Sequence, residues 1–269
     1  VPWLRGLVEQ PSHTLAPEDV ELAAQTLDAT AVELGMTREL HSDPEGQFAD
    51  HRVYSTAATG SDDRTLLLVG HVDTVFPRRL GFLTFERDGD VIRGPGVLDM
   101  KSGLSVMFFA LRAVRAVAPD VFAGLKLRVL VDCDEGIGST SSRPLIEALA
   151  ARTEAALVFE AGRNQDGIIT ARKGGGVVTL TARGHAAHAG LAHASGVNAI
   201  HALALVIPRA EALTDYARGV TVSVGLVTGG TAKNTIPDEA HCVIDVRAIT
   251  TRDADRVMSE LSALAAAPF

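Results

Sequence analysis

Acidic residues and one histidine recur where apolar runs of this chain stop. The run 65–70 leads into His71-Val72-Asp73, the run 125–132 into Asp134-Glu135, and the run 156–159 into Glu160. A glycine-rich approach, Gly94-Pro95-Gly96, delivers Asp99 just before a helical pattern. If the runs are strands of one open sheet, these groups gather at its carboxyl edge, where such sheets bind ligands. An imidazole among carboxylates suits a divalent transition metal, above all zinc. Asp73 lies two residues after His71, so in extended chain both side chains leave the same face. Asp73 can then accept the second imidazole N–H and set the tautomer. Each group also has a plainer reading. Asp99 could cap the next helix, Asp134 and Glu135 could form a solvated turn, and Glu160 could be a surface residue. Their joint placement at run ends favours the metal.

The elements that would carry these residues alternate. The spacing of Val20, Ala23, Ala24, Leu27, Ala31 and Leu34 predicts a helix over 17–34, opened by Pro17 and closed by Gly35. Strands are expected at 51–55 and 65–70, then an irregular glycine-bearing segment at 78–98 and a helix over 101–118. A strand at 125–132, a helix near 143–151 and a strand at 156–159 follow. Buried-type strands alternating with helices predict an α/β fold, a mostly parallel sheet covered by helices on both faces. After the glycine cluster Gly174 to Gly176 the pattern changes. Strands at 177–182, 220–227 and 240–247 with helices at 197–213 and 253–266 predict a ferredoxin-like α+β unit without its last strand. The expected division is 1–173, part of a catalytic domain, and 174–269, a lid or dimerisation domain.

The chain has 269 residues, 46% of them hydrophobic and 22% charged, which fits a globular protein rather than a disordered or fibrous one. A net charge of −8 argues against a nucleic-acid partner. The apolar runs are far shorter than the ~20 residues of a membrane span. Cys133 and Cys242 are too few for a disulfide framework or a cysteine zinc site and fit a reducing compartment, so a cytoplasmic location is expected.

Three segments then carry a family resemblance: His71-Val72-Asp73-Thr74-Val75, 94–103 (GPGVLDMKSG) and 134–139 (DEGIGS). With Phe159-Glu160, 184–190 (GHAAHAG), Gly196-Val197-Asn198-Ala199, Asn234-Thr235-Ile236-Pro237 and Asp245-Val246-Arg247, they resemble the zinc aminoacylases and carboxypeptidases in order and spacing. That family includes acetylornithine deacetylase, succinyl-diaminopimelate desuccinylase and bacterial glutamate carboxypeptidase, the last branch being the most similar. The resemblance implies a homodimeric zinc hydrolase that cleaves an amide beside an amino acid with a free carboxylate. It implies that His71, Asp99 and Glu160 bind metal, Asp99 bridging two ions, and that Asp73 orients His71. Glu135 would be the general base, and His188, often from the partner subunit, would stabilise the oxyanion. Asn234 and Arg247 would hold the substrate carboxylate. A cis Asp99–Met100 bond is implied as well.

Two departures qualify the expectation. The family motif has a second glutamate, a metal ligand, where this chain has Gly136. Its last ligand is a histidine in a C-terminal segment expected beyond Phe269, together with the rest of the catalytic domain. One zinc is therefore expected to bind firmly, with the second position incomplete. The alternative is a degenerate, non-catalytic homologue that binds carboxylates or oligomerises.

Overall fold

A computed structural model describes residues 1–61, 64–162 and 167–266. The chain divides into two compact units, Val1–Asp166 and Gly167–Phe269.

In the first unit, helices α1 (Pro2–Glu9) and α2 (Pro17–Glu33) precede strands β1 (Thr37–His41), β2 (His51–Ser55) and β3 (Thr65–His71). A small hairpin, β4 (Glu86–Asp88) and β5 (Val91–Arg93), leads to α3 (Ser102–Val117) and α4 (Pro119–Gly124). Strand β6 (Leu127–Asp132), helix α5 (Arg143–Ala150) and strand β7 (Thr153–Val158) complete it. Helix α2 ends as its sequence indicates, with Gly35 at φ +73°, a conformation costly for residues with a Cβ.

The sheet order is β1-β2-β6-β3-β7. Only β6–β3 and β3–β7 are parallel, and β1–β2 and β2–β6 are antiparallel. The α/β class holds, but the sheet is mixed rather than mostly parallel. The reversed strand is β2, which runs antiparallel to both of its neighbours, β1 and β6. A short connection joins β1 to β2, and so short a link allows only antiparallel pairing; β1, exposed and mostly polar, gave no apolar signal in the sequence. Helices cover both faces, as the burial of alternate strand residues requires. Tyr54, Leu68, Val129 and Val131 pack with α2 and α3, through Leu27, Leu104 and Phe108. Val53, Leu67 and Leu130 face the other way, onto Leu145, Ile146 and Leu149 of α5.

The second unit contains β8 (Gly174–Arg183), β9 (Ala187–His188), α6 (Ala199–Glu211), β10 (Thr221–Gly229), β11 (Thr235–Ile236), β12 (Glu239–Ala248) and α7 (Thr251–Ala266). The antiparallel sheet β10-β12-β8 buries every second residue of β12 against the two helices. Strands β9 and β11 form a separate two-stranded ribbon. No helix among the described residues is long and apolar enough to cross a membrane.

Candidate metal centre

Parallel pairing puts the carboxyl ends of β3, β6 and β7 side by side, His71 lying opposite Asp132. Each strand then releases its functional group within a few residues. Asp99 arrives separately, on a turn entered at Gly96, whose φ is +70°. A Cβ at Gly96 would lie 2.6 Å from the Thr74 side chain, so this close approach admits only glycine. The Asp99–Met100 peptide bond is cis.

The structure brings His71, Asp99, Glu135 and Glu160 together, with one ligand atom from each lying within 4.8 Å of the others. His71 Nε2 is 3.0 Å from Asp99 Oδ1, 3.4 Å from Glu160 Oε1 and 3.7 Å from Glu135 Oε2. One borderline nitrogen and three hard oxygens form a donor set suited to a divalent transition ion. Asp99 points into the cluster rather than capping α3.

His71 is almost fully buried, and its other ring nitrogen, Nδ1, lies 3.1 Å from Asp73 Oδ1 and 3.0 Å from the Asp73 carbonyl. Both partners accept, so Nδ1 carries hydrogen and Nε2 faces the cluster. Burial alone would lower the His71 pKa, but Asp73 and Glu160 outweigh it and carry the imidazole up to about 11. The cluster thus strongly attracts positive charge, whether a proton or a metal ion. Asp73 is fully buried, yet hydrogen bonds from His71, Thr14 and Gly136 outweigh burial and keep its carboxyl below the usual range. Glu135 is half-exposed. Its carboxyl is raised by partial burial, then by the neighbouring Glu160 and Asp99, against the opposing pull of His71.

Several supporting contacts could not be read from the sequence. Asp134 Oδ2 accepts from the N–H groups of Ser141, at 2.6 Å, and Ser142, at 3.3 Å, which folds the loop after Glu135 back on itself. Gly103, in the first turn of α3, lies against the end of β7, and a Cβ there would meet the Phe159 carbonyl oxygen at 1.9 Å. Its bareness lets the chain deliver Glu160. The buried Lys101 Nζ donates to the carbonyls of Leu7 (2.9 Å) and Gln10 (3.0 Å), which α1 leaves unpaired at its end. Burial brings its pKa down to about 7. Position 136 offers the cluster no side chain, but its backbone N–H donates to Asp73 Oδ2 at 3.1 Å.

The three remaining predicted residues lie in the second unit. His188 pairs with Thr235 across the β9–β11 ribbon, and the Ala189 N–H donates to the Asn234 carbonyl at 2.9 Å, so these two positions are neighbours. His188 Nδ1 accepts the N–H groups of Gly190 (3.1 Å) and Leu191 (3.2 Å), so the ring hydrogen resides on Nε2. Arg247 is not brought to them within this unit. It lies eight residues into β12 from Glu239, the end beside the ribbon, or roughly 25 Å along the strand. Its guanidinium makes two 2.9 Å hydrogen bonds to Asp245.

Residues 170–269 match the family model described as a peptidase dimerisation domain, M20_dimer. Over 96% of its length the chain is 28% identical to carboxypeptidase G2 of Pseudomonas sp. (strain RS-16). Over 84% it is 31% identical to acetylornithine deacetylase of Myxococcus xanthus. It spans 62% and 61% of the lengths of these two relatives. Among solved structures, the aminopeptidase PepT of Bacillus cereus aligns with 97% of this chain and 69% of its own, with a TM-score of 0.78 at 20% identity. An M20 family metallo-carboxypeptidase of Sulfolobus solfataricus aligns with 97% of this chain and 74% of its own, with a TM-score of 0.74 at 17% identity. The dimerisation-domain match and these relatives lead to one conclusion: residues 170–269 form a peptidase dimerisation domain of the M20 type, and the chain shares its fold with M20 peptidases.

Proposed function

We propose that this chain serves a zinc-dependent hydrolase that cleaves an amide beside an amino acid bearing a free carboxylate. The observation that carries the reading is the convergence of His71, Asp99, Glu135 and Glu160 on one point, with Asp73 behind His71. A divalent ion held there by His71, Asp99 and Glu160 supplies an electrophile for the carbonyl and makes water more acidic. Glu135 takes the proton from the attacking water. Its raised pKa suits that task, because a base works best when its pKa approaches the working pH. His188 offers an Nε2–H donor to a developing oxyanion, and Asn234 and Arg247 bind the substrate carboxylate. Arg247 must exchange Asp245 for that carboxylate, a like-for-like swap of bidentate partners.

A homodimer accords with this reading. Arg247 and His188 occupy opposite ends of one unit, so two copies could bring the groups to one substrate. Strand β10 is the edge of its sheet and is free to pair with a second copy. The relatives' names, carboxypeptidase and deacetylase, accord with amide hydrolysis.

Gly136 supports a second reading, a carboxylate-binding homologue without turnover, because it offers no side chain to a second ion. Incubating the protein and zinc with folate-type and N-acyl-glutamate amides separates the two. Release of the amino acid that is lost in Glu135→Gln supports hydrolysis. Glutamate binding without release of product supports the alternative. Light scattering at micromolar concentration tests the dimer, and metal analysis after dialysis is expected to give about one zinc per chain.

A further inference from the structure

Thr14 lies far from the cluster in sequence, yet its hydroxyl reaches the carboxylate that supports it. Thr14 is buried, and its Oγ1 donates to Asp73 Oδ2 at 2.6 Å. The Thr74 carbonyl is also within reach, at 3.2 Å, but the shorter, charge-assisted bond to Asp73 is the stronger. The Gly136 N–H donates to the same Oδ2, leaving Oδ1 to His71 Nδ1. The two oxygens of Asp73 therefore have separate tasks: one is anchored and the other orients the imidazole.

The backbone around Thr14 is tied down from two sides. Thr14 N–H donates to the Thr74 carbonyl at 3.0 Å, and Thr74 N–H to the Ser12 carbonyl at 2.7 Å. Lys101 holds the preceding turn through the Gln10 carbonyl. Position 136 closes the space around the hydroxyl, since a Cβ there would come 2.8 Å from Thr14 Oγ1 and 3.2 Å from Asp73 Oδ2. A side chain at 136 therefore crowds the Thr14 hydroxyl, and one of the two must shift.

We propose that Thr14 is a positioning residue of the metal centre. Its hydroxyl anchors Asp73 so that Oδ1 holds Nδ1 of His71 and the ring keeps Nε2 aimed at the point shared by Asp99, Glu135 and Glu160. This rests on reading the cluster as a metal site. Without the hydroxyl, Oδ2 keeps a single donor, the carboxylate can rotate, and the imidazole loses its fixed aim. Partners of this kind change metal affinity by about 10–100-fold.

The test is a titration of the metal-free protein with Co2+, read by visible absorption, for the wild type, Thr14→Val and Thr14→Ser. Thermal melts of the metal-free forms accompany it. Thr14→Val removes the donor at nearly constant shape and is expected to weaken Co2+ binding about 10–100-fold. Thr14→Ser keeps the hydroxyl and is expected to stay close to wild type. Gly136→Ala, whose methyl group competes for the hydroxyl's space, serves as a second probe and is expected to show a similar loss. A lower melting temperature in Thr14→Val with unchanged Co2+ affinity would mean a merely structural role and would overturn the proposal. If Thr14→Val does not fold, unchanged affinity in Gly136→Ala overturns it instead. A wild type that takes up no Co2+ overturns the metal-site reading itself, and the proposal with it.

Discussion

Replacing Asp73 by asparagine changes one atom and tests the logic of the centre. In the structure Oδ2 accepts two donors, from Thr14 Oγ1 and Gly136 N. An amide oxygen must therefore occupy that position, because an NH2 group there would face the Gly136 N–H donor to donor. The amide nitrogen is then left facing His71 Nδ1, now 3.1 Å from Oδ1. Two donors cannot share that contact, so Nδ1–H keeps only the residue-73 backbone carbonyl, 3.0 Å away, as its acceptor. The ring that aims Nε2 at Asp99, Glu135 and Glu160 then loses its charge-assisted anchor, and a metal must bind a histidine whose orientation is no longer fixed. The loss expected is about 10–100-fold in metal affinity, or roughly 1.4–2.7 kcal/mol. Competition with a chromophoric zinc chelator measures the affinity. Asp73→Asn binding zinc within about threefold of wild type would refute the reasoning.

Proton competition gives a second expectation. The folded-state pKa of His71, about 11, lies above its ordinary value of 6.5, so this group's stabilisation of the metal-free protein is full below pH 6.5 and lost as pH rises through 11. Metal uptake must release that proton, so zinc affinity should rise about tenfold per pH unit between about 6.5 and 8.5, as read by calorimetry in several buffers. Lys101→Met should lower stability by about 2–3 kcal/mol in urea denaturation, because it leaves the Leu7 and Gln10 carbonyls without their donor. Gly103→Ala should cost about 1–3 kcal/mol and also weaken zinc binding, since its methyl group must push away the Phe159 carbonyl and with it Glu160. A Gly103→Ala protein with wild-type zinc affinity would show that Glu160 is positioned by other contacts.

The sequence by itself determined the alternation of the main buried elements and, to within a few residues, where they end. Buried strands such as β3 and β6 must be apolar along their length, and helices such as α2 carry their own period and end signals. Local order therefore shows that His71, Glu135 and Glu160 follow strands, and parallel pairing aligns those strand ends. Only the tertiary structure decided contacts between groups far apart in the chain. The polar strand β1 carries no apolar signature, so its antiparallel pairing with β2 could not be read beforehand. Thr14 is 59 residues from Asp73, and no local pattern distinguishes its hydroxyl from that of any other threonine. The bareness of Gly103 and Gly136 acquires meaning only beside the Phe159 carbonyl and the Thr14 hydroxyl. Arg247 shows the same limit within one strand, because its bidentate pairing with Asp245 depends on rotamers and not on spacing alone. Periodicity records which face of an element is buried, whereas hydrogen-bond partners are chosen by distances that exist only after the chain has folded.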